Sequence, residues 1–530
     1  MESRKQNRSL FCQCLTFFLI LLRKLYDLLC DTIFAFIFNS VEVKKVPPIR
    51  NSLLRESAVS LAEKIRNQEI TSEELVKLCS ERIQEVNPIT NSVVDTRFEK
   101  ALEEARAVDE EIRNGTVSLE TLKEKKPLLG LPFTMKESVA AEGMRFSCGM
   151  ICRKDIRASE DAEIVKGLKN AGAILIGMTN VPELNLWIET RNYVYGETNN
   201  PYNTNRIAGG SSGGEASMMA CCGTPIGFGT DIGGSTRLPA YFCGVYGHKL
   251  SGGLVSTKGM TFRTGKEKHT IVSGGGISKY AIDLKPISIA AVLPERLPLL
   301  KLDIEVDVSK LNYYYVVEPG DSRVSPIGSE ETNALLKVVR SINESSDVKN
   351  SPQKVHFAGF KYSYTLWRYW MAKESTDFAR DLKNGESKAN GLVELAKKLV
   401  GQSDHTLAAI IKLIDLHLPY PSSTWAELET ENLRNQIVAK LGDNGVLLFP
   451  SYPSTAPYHK EPFCRPYNFA YWAIFNVLQL PVTQIPLGLD KNGLPLGIQI
   501  VAAPYQDKLC FAVAEHIEKL VGGWVPPFAE

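Results

Sequence analysis

Along most of the chain, short apolar runs alternate with helical stretches, and this alternation limits the possible folds more than any single motif does. The apolar runs are Leu128 to Met135, Ala173 to Met178, Gly445 to Phe449 and Gly497 to Ala502. Helix patterns fall at Phe98 to Arg113, Asp161 to Asn170 and Lys508 to Leu520, the first of them ending before Asn114-Gly115. Uniformly apolar runs of strand length suit strands covered on both faces, and the intervening helices supply the cover. An α/β architecture with a largely internal sheet is therefore expected. Leu53 to Val86 reads as two amphipathic helices; Thr71 and Glu74 make a capping box for the second, and Asn87-Pro88 is expected to stop it.

The first forty residues differ from this body. Leu10 to Leu22 (LFCQCLTFFLILL) is an apolar run behind Arg4, Lys5 and Arg8, and Arg23-Lys24 stand where a signal peptide would need small residues. A second apolar stretch, Leu25 to Phe38, is interrupted by Asp27 and Asp31, which with Arg23 stack along one stripe of a helix. Three arrangements fit: a tilted anchor that includes the stripe, a helix lying in the membrane interface, or a hydrophobic helix buried in the main domain. Membrane attachment through residues 1–40, as a membrane-anchor helix on an intracellular membrane, is the expectation. Residues 41–52, with Lys44-Lys45 and Pro47-Pro48, read as a linker and 53–526 as the main domain.

Charge and cysteine content narrow the function. Lys and Arg total 61 against 60 Asp and Glu, with no long block of either sign, so nucleic acid is not an expected partner. The 11 cysteines, from Cys12 to Cys510, lack paired zinc spacing, and the 7 histidines form no HExxH or His-x-His cluster. No metal and no cofactor are expected, and the thiols read as reduced and mostly buried.

Ala208 to Ser235 (AGGSSGGEASMMACCGTPIGFGTDIGGS) carries the chemistry. Two glycine-flanked serine clusters bracket a small-residue helix candidate, Glu215 to Cys222. A phosphate loop would need lysine after Gly214, where Glu215 stands. Gly210-x-Ser212-x-Gly214 matches a nucleophile elbow in letters, but Asn200 to Gly210 reads as a turn where the elbow requires a strand. The third reading makes Ser235 the nucleophile and the backbone N–H groups of Ile232, Gly233, Gly234 and Ser235 an oxyanion hole. Its base could be a buried lysine made neutral by desolvation. Lys136, at the end of the run Leu131 to Lys136, is placed for that. Taken one at a time, these residues read more readily as a surface lysine, turn serines, a helix cap and an ion pair.

Taken together they resemble the amidase-signature hydrolases. Thr134-Met135-Lys136-Glu137, Gly209 to Glu215 and Thr230 to Arg237 look like that family's signature in order and spacing, and the similarity runs from about Leu53 to Trp524. The resemblance implies a large mixed central sheet with helices on both faces. It implies a Ser–Ser–Lys triad: Ser235 as acylating nucleophile, Ser211 as the bridging serine after a cis peptide bond, and Lys136 as general base. Ser212, Asp231 and Arg237 match supporting positions, expected to orient the loop through hydrogen bonds. Gly275-Gly276 stands where the family usually has Gly-Pro, Lys279 where it has arginine, Leu250 where proline is common, and Thr236 replaces a usual aliphatic. The function so implied is a membrane-attached serine amidase that splits lipophilic, fatty-acid amides into acid and amine. Membrane lipid is its expected partner, and a homo-oligomer is left open. The aromatic stretch Tyr362 to Trp370 and Leu407 to Leu418 are candidates for an acyl channel, for lipid contact or for core. The competing classes are the amidase-like subunit of a glutamine-dependent amidotransferase and a catalytically dead binding protein on the same fold.

Overall fold

The computed structural model describes residues 21–115, 118–346 and 348–528. Eight strands form one sheet in the order Gln353–Lys354, Asn312–Tyr315, Gly445–Pro450, Pro495–Ala502, Val482–Leu489, Tyr246–Lys249, Ser273–Ser278, Gly227–Asp231. Asn312–Tyr315 runs parallel to both neighbours and the remaining pairs are antiparallel, so the sheet is mixed. A smaller sheet, Val93–Thr96, Ile174–Thr179, Pro132–Lys136, abuts its end through a single parallel bridge between Phe133 and Ile226.

The two-residue period of the strands explains why both faces are covered. Val446, Leu448, Ile498 and Ile500 point to one side, into a core with Leu335, Val338, Leu509 and Ile517 of helices Ser329–Glu344 and Asp507–Val521. Leu447, Phe449 and Val501 point to the other, against Trp472, Ile474 and Phe475 of helix Ala470–Val477 and Leu433 and Ile437 of helix Ser423–Leu441. Apolar runs that looked undifferentiated in sequence thus feed two separate cores.

The expected strands and helices appear within a few residues of their expected limits. Thr71 caps helix Ser72–Thr90 by accepting from the Glu74 N–H at 3.0 Å. Pro88 does not stop that helix, which continues to Thr90. The last turn is tied down from outside: Asn87 Oδ1 accepts from the N–H groups of Ser92 and Val93, and Asn91 closes the helix in the left-handed conformation. The family departures are used locally. Gly276 donates its N–H to Ser288 Oγ and Leu250 donates to Gly274 O, bonds that proline cannot make. Lys279 is buried on Leu54 O, whereas the Thr236 hydroxyl is buried without a hydrogen-bond partner among the described residues.

At the N-terminus, residues 21–38 form a helix; the apolar run Leu10–Leu22 lies almost wholly outside the described residues. Among the described residues no helix is long and apolar enough to cross a membrane. The charged stripe expected inside a tilted anchor instead faces the main domain. Arg465 takes Asp27 at 3.1 Å and Asp31 at 2.7 Å, Arg23 donates to Ser325 Oγ at 2.9 Å, and Phe38 stacks on Tyr458. Nor is this a buried hydrophobic helix, because Leu25, Leu28, Leu29, Ile33, Phe36 and Ile37 are all exposed, Phe36 to 85%. The segment 41–52 packs as it passes: Val46 is buried and Arg82 donates to Pro47 O.

Candidate active site

Strand Pro132–Lys136 is buried throughout, and its last residue carries an amine into the protein. Lys136 has no solvent exposure; its Nζ donates to Ser211 Oγ and Thr230 Oγ1, both at 2.8 Å. Burial lowers its pKa to about 7, against a weaker upward pull from Cys148, Asp231 and Glu215. Much of the lysine is therefore a free amine at neutral pH, able to accept a proton. Glu215, in the first turn of helix Gly213–Ala220, receives a hydrogen bond from Thr134 at 2.7 Å, and burial raises its pKa to about 8. It is mostly an uncharged acid at neutral pH and exerts little pull to keep the lysine protonated.

The two serine loops are joined. Ser211 follows a cis peptide bond, Gly210–Ser211, and the next N–H, of Ser212, donates to Ser235 O at 3.1 Å. Ser212 contributes through its backbone; its hydroxyl, expected to hydrogen-bond, is buried without a partner among the described residues. Ser235 is partly exposed, and its hydroxyl has no hydrogen bond among the described residues. It lines two cavities, the larger of which Ser211 also lines. Lys136 and Ser211 are thus in direct contact, and Ser235 stands on the same wall as Ser211.

Asp231 ends strand Gly227–Asp231, and Arg237 starts the helix Arg237–Phe242 that follows. Arg237 grips both oxygens of Asp231 at 3.0 and 3.1 Å, and is itself held by Asn476 at 2.7 Å and Gln499 at 2.9 Å. Burial alone would raise the Asp231 pKa, but Arg237, Lys249 and the Gly234 N–H together outweigh it and hold the carboxyl well below the usual carboxylate range. The carboxylate then accepts from the N–H groups of Gly234 at 2.7 Å and Thr236 at 3.1 Å. The Gly234 N–H is thereby removed from the expected set of oxyanion donors, which leaves Ile232, Gly233 and Ser235. Gly234 has φ +113°, and a Cβ there would lie 2.4 Å from Trp472 Cβ, so the loop needs glycine at this point.

Thr230, Glu215, Asn476, Gln499 and Trp367, whose indole donates to Ile232 O at 2.9 Å, complete the surroundings. Thr230 and Glu215 lie inside the motif segment and could have been suspected there. Asn476 and Gln499 are remote in sequence and carry no local signal. His248, read as structural, bonds Thr483 and lies 3.2 Å from Asp507.

The larger cavity, about 440 Å³, is lined by Ser138, Arg263, Asp377, Asp381 and Lys412 among others. The second, about 250 Å³, is walled by Trp187, Tyr364, Trp367, Ile411, Leu418 and Phe469. Both expected aromatic and aliphatic stretches therefore contribute to cavity walls. Among the described residues one group, Glu189, Glu197 and His459, brings metal-capable atoms within 4.8 Å of one another. His459 Nε2 lies 3.1 Å from Thr204 O while Nδ1 faces both carboxylates at 3.2 and 3.0 Å, so both ring nitrogens already have protein partners.

An amidase family profile matches residues 74–511. The chain is 42% identical over 493 residues to fatty-acid amide hydrolase 2-A of Danio rerio, covering 92% of each chain. It is 40% identical over 490 residues to fatty-acid amide hydrolase 2 of Homo sapiens, covering 91% of this chain and 92% of that one. A solved structure of fatty acid amide hydrolase shares the fold, with a TM-score of 0.69 at 21% identity over 90% of this chain and 86% of that one.

Proposed function

The chain belongs to the amidase family, a family of amide-hydrolysing enzymes, and from that premise we propose that it cleaves fatty-acyl amides through Ser235, Ser211 and Lys136 while attached to a membrane. The observation that carries this reading is the 2.8 Å contact between a fully buried lysine and Ser211. Neutral Lys136 takes the proton of Ser211, which takes that of Ser235 as its Oγ attacks the carbonyl carbon. Charge developing on the carbonyl oxygen is met by the N–H groups of Ile232, Gly233 and Ser235, each such donor being worth about 2.7–4 kcal/mol of barrier. As the C–N bond breaks, the proton returns through Ser211 to the leaving amine. Water then attacks the acyl-enzyme, losing its proton along the same path, and the acid departs.

The aromatic cavity beside Ser235 suits the acyl chain, and the more polar one suits the amine. Attachment is supported by helix 21–38, whose ionic face is occupied by the protein while its apolar face points outward. A fluorophosphonate probe tests the chemistry. It should label the purified protein at Ser235 and fail on Ser235→Ala, and long-chain amides should be hydrolysed without a partner protein. Labelling of a folded Ser235→Ala variant at the same rate refutes the nucleophile assignment.

A further inference from the structure

The larger cavity reaches Ser235 and Ser211 on one side and the segment Met371–Asp381 on the other. Most charges in its wall are already neutralised. Asp231 is gripped by Arg237, Arg263 pairs with Glu374, Lys412 pairs with Asp415 at 3.0 Å, and Asp377 pairs with Lys388 at 2.7 Å. Asp381, which ends the short helix Phe378–Asp381, differs: its carboxylate makes no hydrogen bond or ion pair among the described residues. Asn185, on the wall common to both cavities, has a buried Oδ1 without a hydrogen bond among the described residues. The cavity that Ser235 lines therefore also carries one carboxylate without a direct partner among the described residues.

Resting on the acyl-amide reading above, we propose that Asp381 recognises the amine half of the substrate, and that the preferred amides carry a second, cationic nitrogen there, as mono-acylated diamines do. The apolar cavity takes the acyl chain, so the group on the far side of the scissile bond enters the cavity that Asp381 lines. An ammonium satisfies the carboxylate through a charge-assisted hydrogen bond. A carboxylate in that position, as in an acylated amino acid, meets like charge. Burial and the neighbouring Asp377 raise the Asp381 carboxyl to about 6, opposed by Arg263 and Arg380, so it remains largely ionised at neutral pH.

The experiment uses the full-length protein and three amides with one acyl chain. Their amines end in an ammonium, in a methyl of matching length, or in a carboxylate, and each is made over a series of methylene spacers. kcat/KM should rank ammonium above methyl above carboxylate. In Asp381→Asn the ammonium-to-methyl ratio should fall by about tenfold or more, through KM. In Asp381→Lys the order of ammonium and carboxylate should reverse. Thermal midpoints check that both variants are folded. Equal ratios in the parent and Asp381→Asn, or no hydrolysis of any of the three by a protein that the fluorophosphonate probe still labels, overturn this inference alone. Absence of both labelling and hydrolysis overturns it together with the triad.

Discussion

At the scale of single residues, the site depends on a lysine whose ordinary state would be charged. Three hydroxyls and a protonated acid surround or adjoin it: Ser211 and Thr230 bond Nζ, and Thr134 holds Glu215. As the proposed base, Lys136 would act only when uncharged, and burial lowers its pKa to about 7, so kcat/KM should rise as pH climbs through about 7 and level off above it. Lys136→Ala should lower the acylation rate by about 10²–10⁴-fold and remove that limb. A pH profile of acylation that is flat from acid to alkaline argues against a neutral lysine. Gly234 makes a different prediction. Gly234→Ala must place Cβ against Trp472 at a left-handed φ, and should cost about 2–4 kcal/mol in denaturant unfolding along with most of the activity. An alanine variant of unchanged stability contradicts the packing described around this loop.

Among the elements, helix 21–38 carries the most consequence. Its three stripe residues are engaged by Arg465 and Ser325, so rotating the helix to bury its apolar face would leave Arg465 with one fewer set of partners. Outward Leu28, Leu29 and Phe36 are then free to meet lipid. Full burial of one such side chain is worth about 1.5–3 kcal/mol. Replacing all three by serine should therefore reduce co-sedimentation with lipid vesicles by at least about tenfold, even with partial insertion. Undiminished vesicle binding by the triple variant places attachment elsewhere. Helix Ser72–Thr90 teaches the converse about local rules. Proline in its final turn forfeits one backbone bond, and Asn87, which reaches ahead to Ser92 and Val93, supplies an anchor that no helix-stop rule contains.

For the molecule as a whole, the decisive feature is the junction of two sheets. The parallel bridge from Phe133 to Ile226 sets strand Pro132–Lys136 beside Gly227–Asp231, which brings Lys136 against Thr230, and the loop leading into helix Gly213–Ala220 brings Ser211 to the same amine. The α/β class, most element positions and the meeting of Lys136 with Ser211 in the candidate site were legible in the chain, because apolar period, capping and glycine placement act over a few neighbours. The motif segment also announced its own loops, since only small residues permit such close backbone approach. What the chain could not announce was which way the charged stripe of the first helix would turn, that Asp231 would take the Gly234 N–H, that Asn476 and Gln499 would hold Arg237, or that Asp381 would be left unpaired on the cavity wall. Each of these depends on which distant groups meet once water is excluded, and the energy of a buried charge is set by those partners and not by its neighbours in sequence.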